Sequence, residues 1–268
     1  MRIRSALITA LAAATLTACS DSGITSPSPG PGVFLKDIVI PNLPSPYYHF
    51  EYDATGRVLG ASFASGARNY NLTYAGGRLS AMQNSGGNHD RLDYVYDNAG
   101  RVGLVKYVDE AGTVYTTVFL TYSGSRLTEL ERDRRVTGGF IIDKTMTFSY
   151  DVAGNLTDVT EHHPPIDGVQ TDATYTDHYE QYDDKLNVDG FSLVHTEFGD
   201  HLVLLPGVQL QKGNPARVTR TGDGVNYVIN YTYTYDGNRP LTKSGDFVFT
   251  NGPDAGTHFQ TLSQFSYY

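Results

Sequence analysis

Cysteine and tryptophan are almost absent from this sequence. The chain of 268 residues contains one cysteine, Cys19, and no tryptophan. A single cysteine excludes a disulfide framework, so burial and hydrogen bonds must stabilise the fold. The absence of tryptophan weakens the case for a sugar-binding platform, although 20 tyrosines remain available for stacking.

Net positive charge is also lacking. The formal charge is −9, and removal of residues 1 to 18 with their two arginines would take it to −11. Nucleic acids and anionic lipid surfaces both require clustered Lys and Arg, so neither is an expected partner. No cofactor is expected from the sequence.

The amino terminus has the most specific pattern. Arg2 and Arg4 precede an apolar stretch, Leu7 to Ala14, that is too short to cross a bilayer, and Leu16-Thr-Ala-Cys19 follows. This order resembles a bacterial lipoprotein signal with its lipobox. The resemblance implies cleavage before Cys19, lipid on its sulfur and acylation of its new amino group. The alternative is an ordinary secretory signal that ends near a cysteine.

Three segments follow from this interpretation: a signal peptide at 1–18, a flexible tether at 19–32 and a single β-domain at 33–268. The tether is rich in Ser, Pro and Gly and has almost nothing to bury. Ser20-Asp-Ser22 is similar to the export signals of surface lipoproteins in Bacteroidota, with a polar linker as the alternative. We therefore expect an outer-membrane lipoprotein of a Gram-negative bacterium, held by lipidated Cys19, with the cell surface and the periplasm both open as its location.

A tyrosine followed by a turn, Arg or Asn and an apolar residue recurs along the chain. The repeats begin at Tyr52, Tyr74, Tyr96, Tyr122 and Tyr150, spaced by 22, 22, 26 and 28 residues, and a further copy begins at Tyr235. A period of about 22 residues fits two short strands and two turns. Asp97 to Gly100 illustrates the longer turn, in which Asp accepts backbone hydrogen bonds and Gly adopts positive φ. The shorter turns at Gly76-Gly77 and Gly124-Ser125 fit two-residue primed types.

Short turns on both sides predict strands that pair in sequence order. We expect an all-β fold, a long antiparallel meander curled into an open or partly closed barrel-like sheet. The difference in length between successive turns predicts bulges in the longer ones, which would help to curl the sheet. The segment 183–213 departs from the repeats, and its apolar run Leu202 to Pro206 predicts either a short helix or a plug across the sheet.

The repeats resemble the YD repeats of RHS-type proteins. Together with the lipobox, the stretch Tyr182-Asp-Asp-Lys-Leu-Asn187 and the stretch Gly213-Asn-Pro-Ala-Arg-Val-Thr219, they are similar to uncharacterised lipoproteins of Bacteroidota. RHS proteins wind many such hairpins into a shell, and this chain has too few for a closed one. Beyond Cys19, the resemblance implies no functional residue.

The histidines and carboxylates indicate no catalytic or metal site. The densest group is His162, His163, Asp167, Asp172, Asp177 and His178, whose spacing matches no metal chelate and favours side chains that face solvent. Turn chemistry accounts for most of the aspartates. A hydrolase acting on a polysaccharide or peptide is the least favoured function.

The tyrosines allow two interpretations. Stacking between neighbouring repeats is favoured, and the alternative is a ligand face formed by Tyr74, Tyr96, Tyr122, Tyr231, Tyr233 and Tyr235. Arg57, Arg78, Arg101 and Arg126 either pair with turn carboxylates and tyrosine rings or bind an acidic partner. The leading function is non-enzymatic binding of a glycan or an envelope protein by the curled sheet. The alternative is a structural role in an envelope assembly.

Overall fold

The structure, a computed structural model, describes residues 33–195 and 201–268. Cys19, the signal peptide and the tether lie outside these residues. The described chain forms sixteen strands and one 3₁₀-helix, Gly190–Val194. The strands are β1 Leu35–Val39, β2 Tyr48–Tyr52, β3 Val58–Phe63, β4 Arg68–Ala75, β5 Arg78–Asn84, β6 Arg91–Tyr96, β7 Val102–Val108, β8 Val114–Ser123, β9 Arg126–Val136, β10 Gly139–Tyr150, β11 Leu156–His163, β12 Ala173–Tyr182, β13 Pro215–Gly222, β14 Tyr227–Asp236, β15 Arg239–Phe249 and β16 His258–Tyr267. No helix among the described residues is long and apolar enough to cross a membrane.

The strands form one closed barrel in sequence order. Every neighbouring pair is antiparallel, and β1 closes the ring by pairing with both β2 and β16, as Leu35 opposite Tyr267 illustrates. The prediction of an all-β meander curled into a barrel is confirmed. The strand β1 was not predicted, because it lies before the first tyrosine repeat.

The turns form in the way that the repeat predicts. At Asp97, the backbone N of Gly100 donates to the carbonyl of Asp97 at 3.0 Å, and Gly100 has φ +81°. At the shorter turn, Gly76 and Gly77 both have positive φ, +58° and +80°, which are values that glycine adopts without steric cost.

The placement of the bulges differs from the expectation. The register slips by one residue after the longer turns, where Gly103 is unpaired, and also after the shorter ones, where Ser80 and Thr128 are unpaired. The bulge therefore belongs to the repeat itself and not to the turn length. Because a bulge bends its strand, its recurrence curls the whole sheet and contributes to closure.

The two faces of the wall differ in polarity. In β4, for example, Tyr70 and Leu72 are buried while Asn69, Asn71 and Thr73 are exposed. The same alternation gives β14 an inner row of tyrosines and isoleucine and an outer row of threonines and asparagine. Apolar side chains therefore form most of the interior, together with buried charged residues such as Lys144 and Glu161, and polar side chains cover most of the outer surface.

A plug fills the middle of the barrel. We define it as residues 183–195 and 201–213, and its run Leu202 to Leu205 is 0–5% exposed within the main hydrophobic cluster. Of the two alternatives for this run, the plug is observed and the helix is not, since residues 201–205 form no regular secondary structure.

The two ends of the barrel carry different turns. The repeat-turn end carries the turns that follow the repeat tyrosines, and the plug begins and finishes there. The open end carries the other turns, such as Ser85–His89 and Asp109–Gly112. Strands β8–β16 have 8–12 residues whereas β2–β7 have 5–8, so the wall is taller on the β8–β16 side.

Candidate functional site

Each repeat fastens itself to the next through its tyrosine hydroxyl. Tyr96 donates to the carbonyl of Leu79 at 2.8 Å, and Tyr122 donates to that of Val102 at 2.9 Å. In both pairs the acceptor is the apolar residue that follows the arginine of the preceding repeat. Tyr74 and Tyr150 make the equivalent bonds, at 2.7 and 2.8 Å.

The repeat arginines make a second contact between the same repeats. Arg101 lies 4.7 Å from the centre of the Tyr122 ring, while its Nε donates to Asp97 at 2.8 Å. The backbone N of Arg101 also bonds the Asp97 carboxylate, and this bond is the main cause of a lowered Asp97 pKa. Arg57, Arg78 and Arg126 lie 5.1, 5.2 and 5.6 Å from the ring of the following repeat. The repeat motif is thus a contact between hairpins.

The two non-repeat motifs meet at the repeat-turn end and hold the plug. The backbone N of Asp183 donates to the carbonyl of Asn214 at 3.1 Å, and the Asp183 carboxylate accepts from the Asn214 backbone at 2.9 Å. Asn155 accepts from the backbones of Lys212 and Gly213, both at 3.1 Å. A Cβ on Gly213 would lie 2.3 Å from the Asp183 carbonyl oxygen, so only glycine fits there.

An ion pair joins the middle of the plug to the wall. Lys243 of β15 donates to Asp189 at 3.1 Å and lies 4.6 Å from the centre of the Tyr231 ring. Burial lowers the pKa of Lys243, but the charges of Asp189 and of nearby tyrosines outweigh it and raise that pKa overall. A cavity of about 90 Å³ beside these groups separates the plug from β12–β15.

A polar network fastens the plug near the open end. The His201 ring lies 2.5 Å from the Tyr70 hydroxyl through Nδ1, and 2.7 and 2.8 Å from Tyr115 and Asp90 through Nε2. Burial alone would raise the pKa of Asp90, yet hydrogen bonds from His201 and Tyr115 lower it overall. All four groups are engaged with one another, which indicates an anchor for the chain.

His195 occupies an apolar environment at the other side of the plug. It is 4% exposed, and neither ring nitrogen has a hydrogen-bond partner among the described residues. Its neighbours are the rings of Tyr48, Phe63 and Phe191. Burial, assisted by the charge of Lys144, lowers the pKa of His195 to about 4.

The open end contains a cleft of about 460 Å³, which we call the open-end cleft. Arg220 lines the cleft and donates from Nε and Nη2 to the buried Asp177 at 2.7 and 2.5 Å. The guanidinium lies between two rings, 4.2 Å from the centre of Tyr175 and 5.0 Å from that of Tyr227. Thr171, Asp172, Ala173, Asp223, Gly224 and Val225 complete the lining.

Aromatic rings continue from the cleft along β14–β16. Tyr227 lies 4.4 Å from Phe247, and Phe247 stacks on Phe259 at 4.4 Å with 26° between the ring planes. Phe249 lies 4.9 Å from Phe247. Phe259 is 43% exposed, so solvent reaches this row of rings. We call Tyr227, Phe247, Phe249 and Phe259 the aromatic row.

The six tyrosines of the predicted ligand face lie elsewhere. The hydroxyls of Tyr74, Tyr96 and Tyr122 bond the wall as described above, and Tyr233 donates to the carbonyl of Pro215 at 3.1 Å. Tyr235 bonds Asp183 where the plug joins β12 and β13, a region that we call the plug base and that includes Asn155, Gly213 and Asn214. Tyr231 faces Lys243. None of the six lines the open-end cleft within the described residues. A ligand contact through them stays a prediction.

The histidine and carboxylate group is dispersed. His162 pairs with Asp172 at 2.9 Å and His178 with Asp158 at 2.8 Å, both exposed, while Asp177 points inward to Arg220. No three His, Cys, Asp or Glu side chains in residues 33–195 and 201–268 are placed to hold a metal ion.

Sequence reasoning missed Arg220, Tyr175 and the phenylalanines of the aromatic row. The alternation from Val225 to Tyr235 gives the inward face of β14, and the spacing of Phe247 and Phe249 gives that of β15. The cross-strand partners that assemble them, such as Arg220 opposite Tyr227, follow only from the register.

The fold is similar to those of two solved structures. A porin-like protein from Bacteroides uniformis matches with a TM-score of 0.59 and 12% identity, over 88% of this chain and 95% of its own. A porin-like protein from Bacteroides vulgatus matches with a TM-score of 0.56 and 13% identity, over 88% of this chain and 99% of its own. At these identities the likeness shows the barrel fold alone. No family model and no curated protein matches the sequence.

Proposed function

We propose that this protein is a non-enzymatic binding protein of the bacterial envelope, anchored by lipid on Cys19, and that its binding site is the open-end cleft. The observation that carries the proposal is the aromatic row, because solvent reaches its rings at the end of an otherwise filled barrel. Small-ligand sites are clefts of about 300–1,000 Å³ with mostly apolar walls and a few polar groups. The open-end cleft has that size, and its lining combines tyrosine rings and small apolar groups with several polar and charged side chains.

The distribution of polarity supports an anchor made by lipid and not by the wall. A barrel that spans a bilayer carries an apolar band outside and a polar interior. This barrel has a mostly apolar interior, and the outer face of β4, β12 and β14 carries threonines, asparagines and charged residues. Exposed apolar side chains such as Val95 and Phe119 also lie on the outer face. Acyl chains on Cys19 would supply the membrane contact. The lipobox, the YD-type repeats and the barrel together support a relationship to envelope lipoproteins with YD-like repeats.

The binding of a neutral apolar dye, N-phenyl-1-naphthylamine, tests the proposal. We expect saturable fluorescence enhancement with the folded protein, and at least a fivefold weaker affinity in Phe259→Ala. Phe119→Ala is the matched control, since Phe119 is 42% exposed on the outer face of β8. Equal binding by the wild type and both variants would contradict the cleft as the site.

A structural role in an envelope assembly is the second candidate, and the filled interior favours it. The closed ring of described strands leaves no free strand edge for pairing with another chain. Assembly would therefore use the outer wall or the turns. Two results together would favour this role. The lipidated protein would cross-link into a discrete larger complex in isolated envelopes, and Phe259→Ala would leave the affinity for the dye unchanged.

A further inference from the structure

We propose that the open-end cleft binds a neutral glycan, with a sugar ring in the cleft and the following units along the aromatic row. The inference rests on the proposed function, because it names the ligand class of the same cleft.

The cleft offers hydrogen-bond donors and acceptors together. Asp172 and Asp223 present exposed carboxylates, which only accept. One oxygen of each is already engaged, by His162 at 2.9 Å and by the backbone N of Thr174 at 2.8 Å, and the other has no partner among the described residues. Arg220 presents a donor, because its Nη1 has no hydrogen-bond partner among the described residues while Nε and Nη2 hold Asp177. A ligand rich in hydroxyl groups can donate to the carboxylates and accept from the guanidinium. An apolar molecule such as the dye can contact only the aromatic rings and leaves these hydrogen-bonding groups unused.

The charges of the lining disfavour an anionic ligand. Two carboxylates, Asp172 and Asp223, stand beside one guanidinium that Asp177 already neutralises, so an anion would be repelled. The whole chain has a net charge of −9, which adds to that repulsion. A neutral ligand avoids this repulsion.

The aromatic row suits the apolar face of a sugar ring. Phe259 and Phe247 are stacked with their planes 26° apart, and Phe259 is 43% exposed. The row starts at Tyr227 in the cleft lining and continues past Phe247, so it extends beyond a single monosaccharide. An oligosaccharide can therefore place one unit in the cleft and others over the phenylalanines.

Isothermal titration of the mature, lipidated protein in a detergent without a sugar head group tests the inference. The probes are three neutral polysaccharides, a β-glucan, a mannan and a xylan, and two anionic ones, polygalacturonate and heparin. We expect at least one neutral probe to bind and Phe259→Ala to weaken its affinity at least tenfold. Phe119→Ala should leave that affinity within twofold of the wild type.

A second variant makes the test independent of truncating a ring. Val225→Trp places the only tryptophan of the chain on the exposed lining of the cleft. Its emission should shift saturably with the neutral probe that binds the wild type.

Three results would overturn the glycan inference. They are preference for an anionic probe, an affinity for neutral probes that Phe259→Ala leaves unchanged, and binding of no probe. If no glycan binds but the dye binding depends on Phe259, only the ligand class is wrong and the proposed function stands. If neither the dye nor a glycan binds, both proposals fail.

Discussion

The two ends of the barrel use the same sixteen strands for different purposes. At the repeat-turn end, Tyr, Arg and Asp side chains bond one another, and the plug base adds buried amides such as Asn155 and Asn214, at 9% and 2% exposure. At the open end, the taller wall of β8–β16 holds Arg220 and a row of aromatic rings that solvent reaches. At the repeat-turn end, the polar side chains hydrogen-bond one another and close the barrel. At the open end, some side chains remain accessible for contact with a ligand.

The largest effect is expected from breaking the plug base. Gly213→Ala would place a Cβ 2.3 Å from the Asp183 carbonyl oxygen. Because this oxygen belongs to the backbone, relief of the clash requires the backbone to shift. We expect the free energy of unfolding to fall by about 3 kcal/mol or more, measured by denaturant titration. In the control Gly86→Ala, the nearest atom is 3.8 Å away. A loss in Gly213→Ala no larger than in this control would contradict the proposed closure.

His195 allows a pH test of the packing between the plug and the wall. The pKa of this histidine is about 6.5 in the unfolded chain, and burial lowers it to about 4 in the folded protein. The unfolded state therefore binds more protons between these values, and stability falls on acidification by up to about 3 kcal/mol. His195→Phe should remove this part of the pH dependence and raise stability at pH 5. Parallel pH profiles for the two proteins would contradict the account.

The open-end ion pair should matter more than its counterpart on the outer face. Arg220→Gln leaves the buried Asp177 unpaired, and we expect a loss of about 2 kcal/mol. Arg217 lies on the opposite face of the same strand, 3.3 Å from Glu180, with 41% of its side chain exposed. Arg217→Gln should cost less than about 1 kcal/mol. Equal losses, measured by thermal unfolding, would mean that Arg220 has no special role in the wall.

The smallest effect concerns one contact between repeats. Tyr96→Phe removes the hydroxyl bond to the Leu79 carbonyl and should cost about 1 kcal/mol. Tyr47→Phe is the control, because the Tyr47 hydroxyl has no partner in the described part of the chain and should cost almost nothing. Calorimetry of both variants gives the comparison, and equal costs would show that the hydroxyl bond contributes little.

The sequence predicted what local chemistry determines. Asp97 and Gly100 define a turn, and the alternation of Leu92, Tyr94 and Tyr96 defines a strand, so the meander could be read directly. The bulges were assigned to the longer turns alone because Ser80 and Thr128 are ordinary strand residues. Local patterns do not determine whether the sheet closes, because closure depends on the pairing of β1 with β16, which are far apart in sequence.

The candidate site depended on information that no local pattern holds. Arg220, Tyr227 and Phe259 each occupy an unremarkable inward position on a separate strand. Their assembly follows from the register of β13–β16, which the sequence determines only through the whole barrel. The plug base is similar, since Asp183 and Asn214 belong to separate motifs 31 residues apart.

The central claim is that the wall stands in water and that lipid on Cys19 alone contacts the membrane. Because the proposed lipid on Cys19 would block the only native thiol, single cysteines can be introduced on four sides of the outer wall by Asn71→Cys, Thr121→Cys, Thr147→Cys and Thr232→Cys. The lipidated variants, added from outside to detergent-free vesicles, are treated with a membrane-impermeant maleimide. The account predicts that all four positions react at similar rates. Protection of these positions by the vesicles, with reaction restricted to the turns, would contradict it.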